Sequence, residues 1–535
     1  MTTAATTVTP PDYSDPRPLH PPQGWARCLL LLLSLPGLLA AELPDLVLPA
    51  VFTDHMVLQC DLPARFWGRA APGALVEVTM LEHRAQALAD ATGTWRLELP
   101  AMAASSVPQS VRITAEHRGQ RQQQHLEDVL VGEVWFCSGQ SNMEWTVGKI
   151  MHYPGVDGGE AACAKPTRRQ LRIFSDAEQA VWKQRGWKPA GGEDLRAFSA
   201  TAYFFGAHLQ RELAVPVGLI HVSRGGSPIQ QWIPETFALR DPVIRHYSTI
   251  FRTHRVEIEA YGAALHRYHS ARRSAETTAV RPEPLPPELD TARGYYGHGL
   301  FEHLVRPLVD FPVRGVLWYQ GEANAAHEDV AAAYDGMLGQ LFAGWRTAWQ
   351  RPDLPFYVVQ LPFWEAPEAR YWHRLRDSQY RAARQDAKVY LVPIMDLCDP
   401  GDLHPPQKRP VGERLARRAL VETYGRPGVG RGPEVIGWEK EGAGLRIHWD
   451  DGGAPIQLPD GTWTGVELAG PDGVFHPATA VFEGNEARVT AAPVLDPVAL
   501  RYGWAPIFRP SLFNAAGFPA PPCALPLHVP DVFNF

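Results

Sequence analysis

The chain contains 535 residues, of which 45% are hydrophobic and 20% charged, and its formal net charge is -7. A chain of this length is too long for one ordinary hydrophobic core, so two or three domains are expected. Its apolar content excludes an intrinsically disordered protein. The negative balance, without any long basic run, argues against nucleic acid as a partner.

The first distinctive segment is a short apolar stretch near the N-terminus. Residues 28–41 read CLLLLLSLPGLLAA and directly follow Arg27. A positive flank, a short apolar run and small residues at its end are typical of a secretory signal peptide, and the run is too short to span a bilayer. We therefore predict that residues 1–41 are a signal peptide or an N-terminal anchor segment. The protein is then expected to be secreted or periplasmic, with no membrane span in the mature chain.

Two parts of the chain are predicted to be rich in β-strands. In residues 44–130, runs such as ARFWGRA, LVEVTML, TWRLELP and SVRITAEH are separated by turn signals, which is typical of a small β-sandwich-like domain. Residues 431–535 contain similar runs, such as LRIHW, WTGVEL and ARVT, and are predicted to form a C-terminal β-rich region.

Between these parts, residues 131–430 alternate predicted strands and helices. Nearly continuous apolar runs predict buried strands at 131–136, 217–222, 313–319, 356–361 and 389–395. The clearest helix is predicted over 327–349, where apolar residues recur three and four positions apart: Tyr334, Met337, Leu338, Leu341, Phe342 and Trp345. This alternation predicts an α/β domain with a mostly parallel five-stranded sheet covered by helices. Residues 236–294, which include the loop RPEPLPPEL, are interpreted as an insertion over one edge of the sheet.

Four of the predicted strands are followed by loops rich in small and polar residues: CSGQSNM, SRGGS, QGEAN and DLCDPGDLHPPQ. Open parallel sheets bind ligands beyond the carboxyl ends of their strands, so these loops are candidates for one site. They contain the groups that acyl transfer requires. Ser141 offers a hydroxyl at a strand-to-helix turn, His404 is the candidate base, and Asp402 precedes it by two residues. Gly225 offers an unobstructed N–H and Asn324 a side-chain amide for an oxyanion, beside the Ser141 N–H.

Each of these groups also has an ordinary structural explanation. A serine at a strand end is most often a turn or a helix cap, paired glycines make turns, and Asn324 is suited to cap the helix that follows it. A catalytic site is favoured because four such loops follow predicted strands in chain order.

The loops also resemble a known family. GQSNMEW, SRGGSPIQQW, GVLWYQGEAN and GDLHPPQ are similar to the four signature blocks of the sialate O-acetylesterase family, which belongs to the SGNH (GDSL-like) hydrolases. FTDHMVLQ, GTWRLELP and RYGWAP are family-like as well, so the resemblance extends over about residues 44–525. It implies an SGNH-type three-layer α/β/α fold for the domain at 131–430.

The resemblance also implies roles for individual residues. Ser141 matches the nucleophile, His404 the general base and Asp402 the acid that orients the base. Gly225 and Asn324 match the oxyanion-hole donors, together with the Ser141 N–H.

Further polar residues of these blocks are predicted to contact the substrate: Gln140, Gln320, Glu322 and Arg224. Glu322 is also the alternative to Asp402 as the acid partner of His404. The second block departs from the family pattern, because Arg224 stands where tryptophan is usual and Gln230 where glutamate is usual. Arg224 suits the carboxylate of a sialic acid and equally suits a surface ion pair.

We therefore expect a carbohydrate O-acetylesterase, specifically a sialate O-acetylesterase with a Ser-His-Asp acyl-enzyme mechanism, whose partner is an O-acetylated sugar or glycan. The alternatives are an acetylxylan-type polysaccharide acetylesterase and a non-catalytic carbohydrate-binding protein on a hydrolase scaffold. A lipase or peptidase is disfavoured, because the G-x-S-x-G elbow is absent around Ser141. No metal or organic cofactor is expected: the six cysteines show no CxxC spacing, and His298 and His303 lack the spacing of a strong ligand motif.

Overall fold

The computed structural model describes residues 46–153, 156, 158–165, 167–175, 186–253, 256, 264, 267, 299–399 and 401–526. The predicted signal or anchor segment at 1–41 and the proline-rich loop of the predicted insertion lie outside the described residues. The residues after Leu43 cluster by contacts as one unit.

The strands are β1 Val57–Gln59, β2 Ala64–Arg69, β3 Leu75–Met80, β4 His83–Leu88, β5 Thr94–Leu99, β6 Ser105–His117, β7 Gln120–Gly139, β8 Arg168–Ser175, β9 Trp187–Ala190, β10 Val217–Ser223, β11 Gly315–Tyr319, β12 Phe356–Gln360, β13 Val389–Pro393, β14 Glu434–Glu441, β15 Gly444–Asp450, β16 Ile456–Gln457, β17 Val466–Ala469, β18 Phe475–Pro477, β19 Thr479–Glu483, β20 Glu486–Thr490, β21 Ala499–Tyr502, β22 Phe513–Asn514 and β23 Cys523–Pro526.

The α-helices are α1 Ser141–Glu144, α2 Val147–Ile150, α3 Gly159–Ala164, α4 Gly192–Arg196, α5 Ala200–Leu213, α6 Glu235–Ala238, α7 Pro242–Thr253, α8 Glu328–Ala332, α9 Tyr334–Trp349, α10 Trp372–Arg384 and α11 Lys408–Glu422. Short 3₁₀ turns occur at Ile229–Trp232, Arg306–Leu308, Glu322–Asn324 and Pro367–Ala369, and a π-helical turn at Phe301–Val305. Among the helices of the described ranges, none has the length and apolar character needed to cross a membrane.

The central sheet has the strand order β13-β12-β11-β7-β10-β8-β9. All neighbouring pairs are parallel except β8 and β9. After β7 the chain first builds β8 and β10 on one side and then β11, β12 and β13 on the other. The carboxyl end of β7 is therefore the point where the strand order reverses, which is where open α/β sheets form their ligand crevices.

Helices cover both faces of this sheet, as the predicted three-layer arrangement requires. Successive side chains of a strand point to opposite faces. Trp135 of β7 packs against Phe205 of α5, with ring centroids 4.9 Å apart. The next residue, Phe136, packs against Trp349 of α9 at 5.2 Å. Both side chains are fully buried, so β7 is enclosed on both faces.

The five predicted strands of this sheet are confirmed, and a sixth parallel strand, β8, was missed. β8 reads RRQLRIFS, and only its LRIF portion is buried. Because its first half is polar, β8 lacks the nearly continuous apolar run from which the other five strands were predicted. The edge strand β9 was missed as well.

The predicted helix at 327–349 is present as two consecutive helices, α8 and α9, separated at Ala333, whose φ is -96° and ψ 4°. All six apolar residues that predicted it are buried. Within the described residues, the predicted insertion contains α7.

Strand β7 crosses the predicted domain boundary at residue 131. Its first half pairs antiparallel with β6, and its second half pairs parallel with β10 and β11. β1 also joins it at the boundary, where Leu58 is opposite Val131. The N-terminal β-strands and the central sheet are thus joined through a shared strand.

The C-terminal residues form the predicted β-rich region, with antiparallel sheets in the orders β14-β15-β20-β19 and β18-β17-β21-β23. This region contacts the central domain through polar groups of α10 and β12. Asp377 accepts a hydrogen bond from the Ala524 N–H at 2.8 Å, and Gln360 donates to the Pro522 carbonyl at 3.1 Å. The described cysteines are all free thiols: Cys60, Cys137, Cys163, Cys398 and Cys523.

A buried ion pair stabilises the start of the parallel part of β7. The Glu133 carboxylate accepts hydrogen bonds from Arg314 Nε at 2.7 Å and from the Tyr424 hydroxyl at 3.0 Å. Burial alone would raise the pKa of Glu133, but the hydrogen bonds and charge of Arg314 hold that pKa below its usual value. Because Glu133 is only 5% exposed, removing Arg314 would leave a buried negative charge without a countercharge.

We predict that Arg314→Met lowers the free energy of unfolding by about 3–5 kcal/mol, the typical cost of breaking a buried pair on one side. The matched control is Arg65→Met, which removes an arginine from the exposed pair with Glu98. The control is expected to cost at most about 1 kcal/mol. Urea denaturation of both variants measures the difference, and equal losses would contradict the structural role given to Glu133.

Candidate active site

The candidate nucleophile follows directly from the end of β7. Gly139 is the last residue of β7 and has a φ of +144°, and Ser141 is the first residue of α1. A Cβ on Gly139 would lie 2.1 Å from the Tyr319 carbonyl oxygen of β11. Only glycine therefore permits this turn, since any side chain would collide with the neighbouring strand. The turn places the Ser141 side chain at the carboxyl end of the sheet.

Ser141 and His404 are brought together as predicted. His404 lies on the loop between β13 and α11, and its Nε2 atom is 2.7 Å from Ser141 Oγ. This is the distance at which a base can accept the proton of a hydroxyl nucleophile. Both side chains are partly exposed, so an ester can reach them.

The His404 ring is held by an aromatic contact that sequence reasoning missed. Trp145 stacks on it, with ring centroids 5.1 Å apart and an interplanar angle of 20°. Lys149 Nζ lies over the Trp145 ring, 5.1 Å from its centroid. Burial, together with the positive charges of Lys408 and Lys149, lowers the pKa of His404 from 6.5 to about 4. The imidazole is therefore neutral and able to act as a base over most of the pH range.

Among the described residues, neither predicted acid is hydrogen-bonded to His404. Asp402 is partly exposed, and its backbone N–H donates to the Asp399 carbonyl at 3.0 Å. The side chains of Asp402 and His404 both lie within the described ranges, and no hydrogen bond or ion pair joins them there. Glu322 is 9% exposed and accepts a hydrogen bond from Asn142 at 2.5 Å instead. The choice between Asp402 and Glu322 as the acid partner stays a prediction.

Of the predicted oxyanion donors, Gly225 and Asn324 both have protein partners, and Gly225 borders Ser141. A Cβ built on Gly225 would be 3.6 Å from Ser141 Cβ, so this backbone borders the nucleophile. The Gly225 N–H donates to Glu144 Oε2 at 2.6 Å. Asn324 is 1% exposed, and its Nδ2 donates to Gln230 Oε1 at 2.8 Å. An amide nitrogen carries two hydrogens, so Asn324 retains a second donor.

Of the predicted substrate contacts, Gln140 and Gln320 lie beneath the site. Gln320 is fully buried, and its Nε2 donates to Gln140 Oε1 at 3.1 Å. The Tyr334 hydroxyl donates to Gln320 Oε1 at 2.5 Å. These bonds connect the loops after β7 and β11 and favour a supporting role, so their contact with substrate stays a prediction. Arg224 is exposed beside Gly225.

A buried polar network, absent from the sequence-based prediction, connects the three loops of the site. Lys408 is fully buried, and its Nζ donates to Asn142 Oδ1. Asn142 Nδ2 in turn donates to Glu322 and to the Leu403 carbonyl at 3.1 Å, next to His404. Burial raises the pKa of Glu322 to about 7 and lowers the pKa of Lys408 to about 7.

The sequence contained a signal for three of the site residues that were missed. Asn142, Glu144 and Trp145 all lie within the motif GQSNMEW, and Glu144 is three residues after Ser141, which places the two on one side of a helical turn. Lys408 had no such signal, because its burial depends on the packing of α11.

We predict that kcat/KM for ester hydrolysis falls at acidic pH with a midpoint at about pH 4. The pH dependence of kcat/KM reports ionisations of the free enzyme, and the pKa of His404 is lowered to about 4. Lys149→Gln removes a positive charge near the imidazole and should move this limb to higher pH. A limb at or above pH 6.5, the ordinary histidine value, would instead mean that an acid pairs with His404. In that case Asp402→Asn and Glu322→Gln identify which acid, because only the loss of the acid that pairs with His404 would move the midpoint of the acidic limb to lower pH.

We predict that Gly139→Ala destabilises the fold by at least about 3 kcal/mol, because backbone strain costs about 1–3 kcal/mol and the collision with β11 adds to it. The control is Gly339→Ala in α9, where an added Cβ meets nothing within 4 Å. That variant should be stabilised by up to about 1 kcal/mol through helix propensity. The midpoints of thermal unfolding measure both changes, and a Gly139→Ala protein as stable as the wild type would rule out this account of the turn.

Comparisons with known proteins agree with this arrangement. A family model described as "Carbohydrate esterase, sialic acid-specific acetylesterase" matches residues 131–274 and 296–421, about half of the chain. The sialate O-acetylesterase of Homo sapiens is 27% identical over 412 residues, which cover 70% of this chain and 70% of the human protein. That of Mus musculus is 26% identical over 513 residues, covering 84% of this chain and 88% of the mouse protein.

Among solved structures, a carbohydrate acetylesterase from Xanthomonas citri superposes with a TM-score of 0.71 at 30% sequence identity. The match covers 90% of this chain and 99% of that one. The residues matched by the family model include the strands and loops that carry Ser141 and His404. The chain therefore belongs to the sialic acid-specific acetylesterase family of carbohydrate esterases.

Proposed function

We propose that this protein removes O-acetyl groups from sialic acids through an acetyl-enzyme formed on Ser141. The observation that carries the proposal is the 2.7 Å contact between Ser141 Oγ and His404 Nε2 at the carboxyl end of β7. A hydroxyl at a strand-to-helix turn with a neutral imidazole in reach is the arrangement that nucleophilic acyl transfer requires.

In the first half of the reaction, His404 takes the proton of Ser141 as Oγ attacks the acetyl carbonyl carbon. The resulting oxyanion is stabilised by N–H donors at the start of α1 and in the loops after β10 and β11, for which we propose Ser141, Gly225 and Asn324. His404 then passes its proton to the sugar oxygen as the ester bond breaks, and the deacetylated sugar leaves.

In the second half, His404 takes a proton from water, which attacks the acetyl-enzyme. Collapse of the second tetrahedral intermediate returns the proton to Ser141 and releases acetate. The imidazolium that forms in each half-reaction requires a stabilising acid, for which we propose Asp402, with Glu322 as the alternative. Asp402 supports this choice because it lies two residues before His404 on the same loop and is partly exposed.

The charge around the site favours an anionic sugar. Arg224 is exposed beside Gly225, and Lys149 lies over the Trp145 ring that stacks on His404. A sialic acid carries a carboxylate, whereas neutral xylan chains carry no charge for these cations to bind. The relatives named sialate O-acetylesterase support the same choice.

We also propose that the protein acts after export, as a secreted or periplasmic enzyme. The support is the apolar segment at 28–41, which follows Arg27 and ends in small residues, as signal peptides do.

The test is acetate release by the wild type and Ser141→Ala from 4-nitrophenyl acetate, an O-acetylated sialic acid and acetylated xylo-oligosaccharides. We expect the wild type to prefer the sialic acid and Ser141→Ala to lose at least about 10³-fold in turnover on every substrate. Ser106→Ala, which removes an exposed serine hydroxyl from β6, serves as the control. Preference for the xylo-oligosaccharides would replace the proposed substrate, and a folded wild type inert towards all three would favour a binding protein.

A further inference from the structure

The Gly225 N–H, which the proposed mechanism assigns to the oxyanion, is occupied by a side chain of the protein itself. Glu144 Oε2 accepts its hydrogen bond at 2.6 Å. A Cβ built on Gly225 would lie 3.1 Å from the same oxygen and 3.6 Å from Ser141 Cβ. A negatively charged oxygen therefore already lies beside the nucleophile, on the donor that the tetrahedral intermediate needs.

This position follows from the geometry of α1. Glu144 is three residues after Ser141 in the same helical turn, so both side chains lie on the same side of the helix. Glu144 is partly exposed, and within the part of the chain that the structure describes no ion pair restrains its carboxylate. The carboxylate is thus free to turn towards solvent or towards a bound ligand.

Two negative oxygens cannot share one N–H at hydrogen-bond distance, because their repulsion would destabilise the intermediate. Glu144 must therefore leave Gly225 before the ester carbonyl becomes an oxyanion. A carboxylate is an acceptor only, so it needs another donor to replace the lost N–H. An acetylated sugar supplies such donors, since its free hydroxyl groups lie close to the ester, whereas a simple aryl acetate has none.

We propose that Glu144 determines specificity by exchanging the Gly225 N–H for a hydroxyl group of the sugar. In the free enzyme it blocks one oxyanion donor. When a polyhydroxylated substrate binds, Glu144 accepts a hydrogen bond from a sugar hydroxyl, and the Gly225 N–H becomes available. This inference rests on the proposed function, because it assigns the exchange to the same Ser141 site.

The experiment measures kcat/KM of the full chain for 4-nitrophenyl acetate and for an O-acetylated sialic acid in the wild type, Glu144→Ala and Glu144→Gln. Glu144→Ala should raise the value for the aryl acetate by about 10-fold, because the donor is no longer blocked, and lower the value for the sugar by a similar factor. Glu144→Gln keeps an acceptor without charge and should lie between the wild type and Glu144→Ala on both substrates. Glu160→Ala, which removes an exposed glutamate from the first turn of α3, should change neither.

The outcomes separate the proposal from its alternatives. Equal losses on both substrates in Glu144→Ala would overturn it, because Glu144 would then only hold the Gly225 loop in position. A loss on the sugar with no gain on the aryl acetate would overturn the blocking of the donor, and so the exchange. No change on either substrate would overturn it as well.

The aryl acetate also distinguishes this proposal from the proposed function. If the wild type hydrolyses 4-nitrophenyl acetate but not the acetylated sialic acid, the sugar substrate is wrong. The aryl rate of Glu144→Ala still decides whether Glu144 blocks the donor: a gain supports the block, and an unchanged or lower rate overturns it.

Discussion

The close approach of β7 and β11 at Gly139 is the contact on which the site depends. The Tyr319 carbonyl occupies the space where a side chain on Gly139 would lie, and it also accepts the Gln140 N–H at 3.0 Å. The chain must therefore turn sharply at the point where the strand order of the sheet reverses. That turn presents Ser141 at the crevice to which the loops after β10, β11 and β13 contribute.

Buried polar groups below the crevice hold these loops in position relative to each other. Asn142 is hydrogen-bonded to the loop after β11 through Glu322 and to the His404 loop through the Leu403 carbonyl. Lys408 completes the network from α11. A buried network of this kind is costly unless each member has partners, so it selects one arrangement of the loops over alternatives. The distance between Ser141 and His404 is a consequence of that arrangement.

The electrostatics of the free site favour a neutral base and a blocked donor. Burial and two lysines lower the pKa of His404, and the Glu144 carboxylate lies on Gly225. Both features must change as negative charge develops on the ester and positive charge on the imidazole. A substrate that supplies hydroxyl groups and a carboxylate brings partners for Glu144 and for the cations, so binding and activation of the site are linked.

How much of this was predictable differs between fold and site. Strands β11 and β12 were predictable because both faces are covered and every residue is apolar or buried. β8 was not, because its first half is polar and only four consecutive residues enter the core. Loops with catalytic residue types were predictable because parallel strands bring their carboxyl ends to one edge.

The sequence by itself determined the residue types at the strand ends, and with them the candidate nucleophile, the candidate base and the family. Only the tertiary structure decided the hydrogen-bond partners of those residues. Ser141 and His404 are 263 positions apart, and the structure places them in contact while leaving Asp402 without a bond to the imidazole. It also places the Glu144 carboxylate of α1 on the Gly225 N–H. Such pairings depend on distances of a few ångström between segments remote in the chain, and those distances are set by packing of the whole domain.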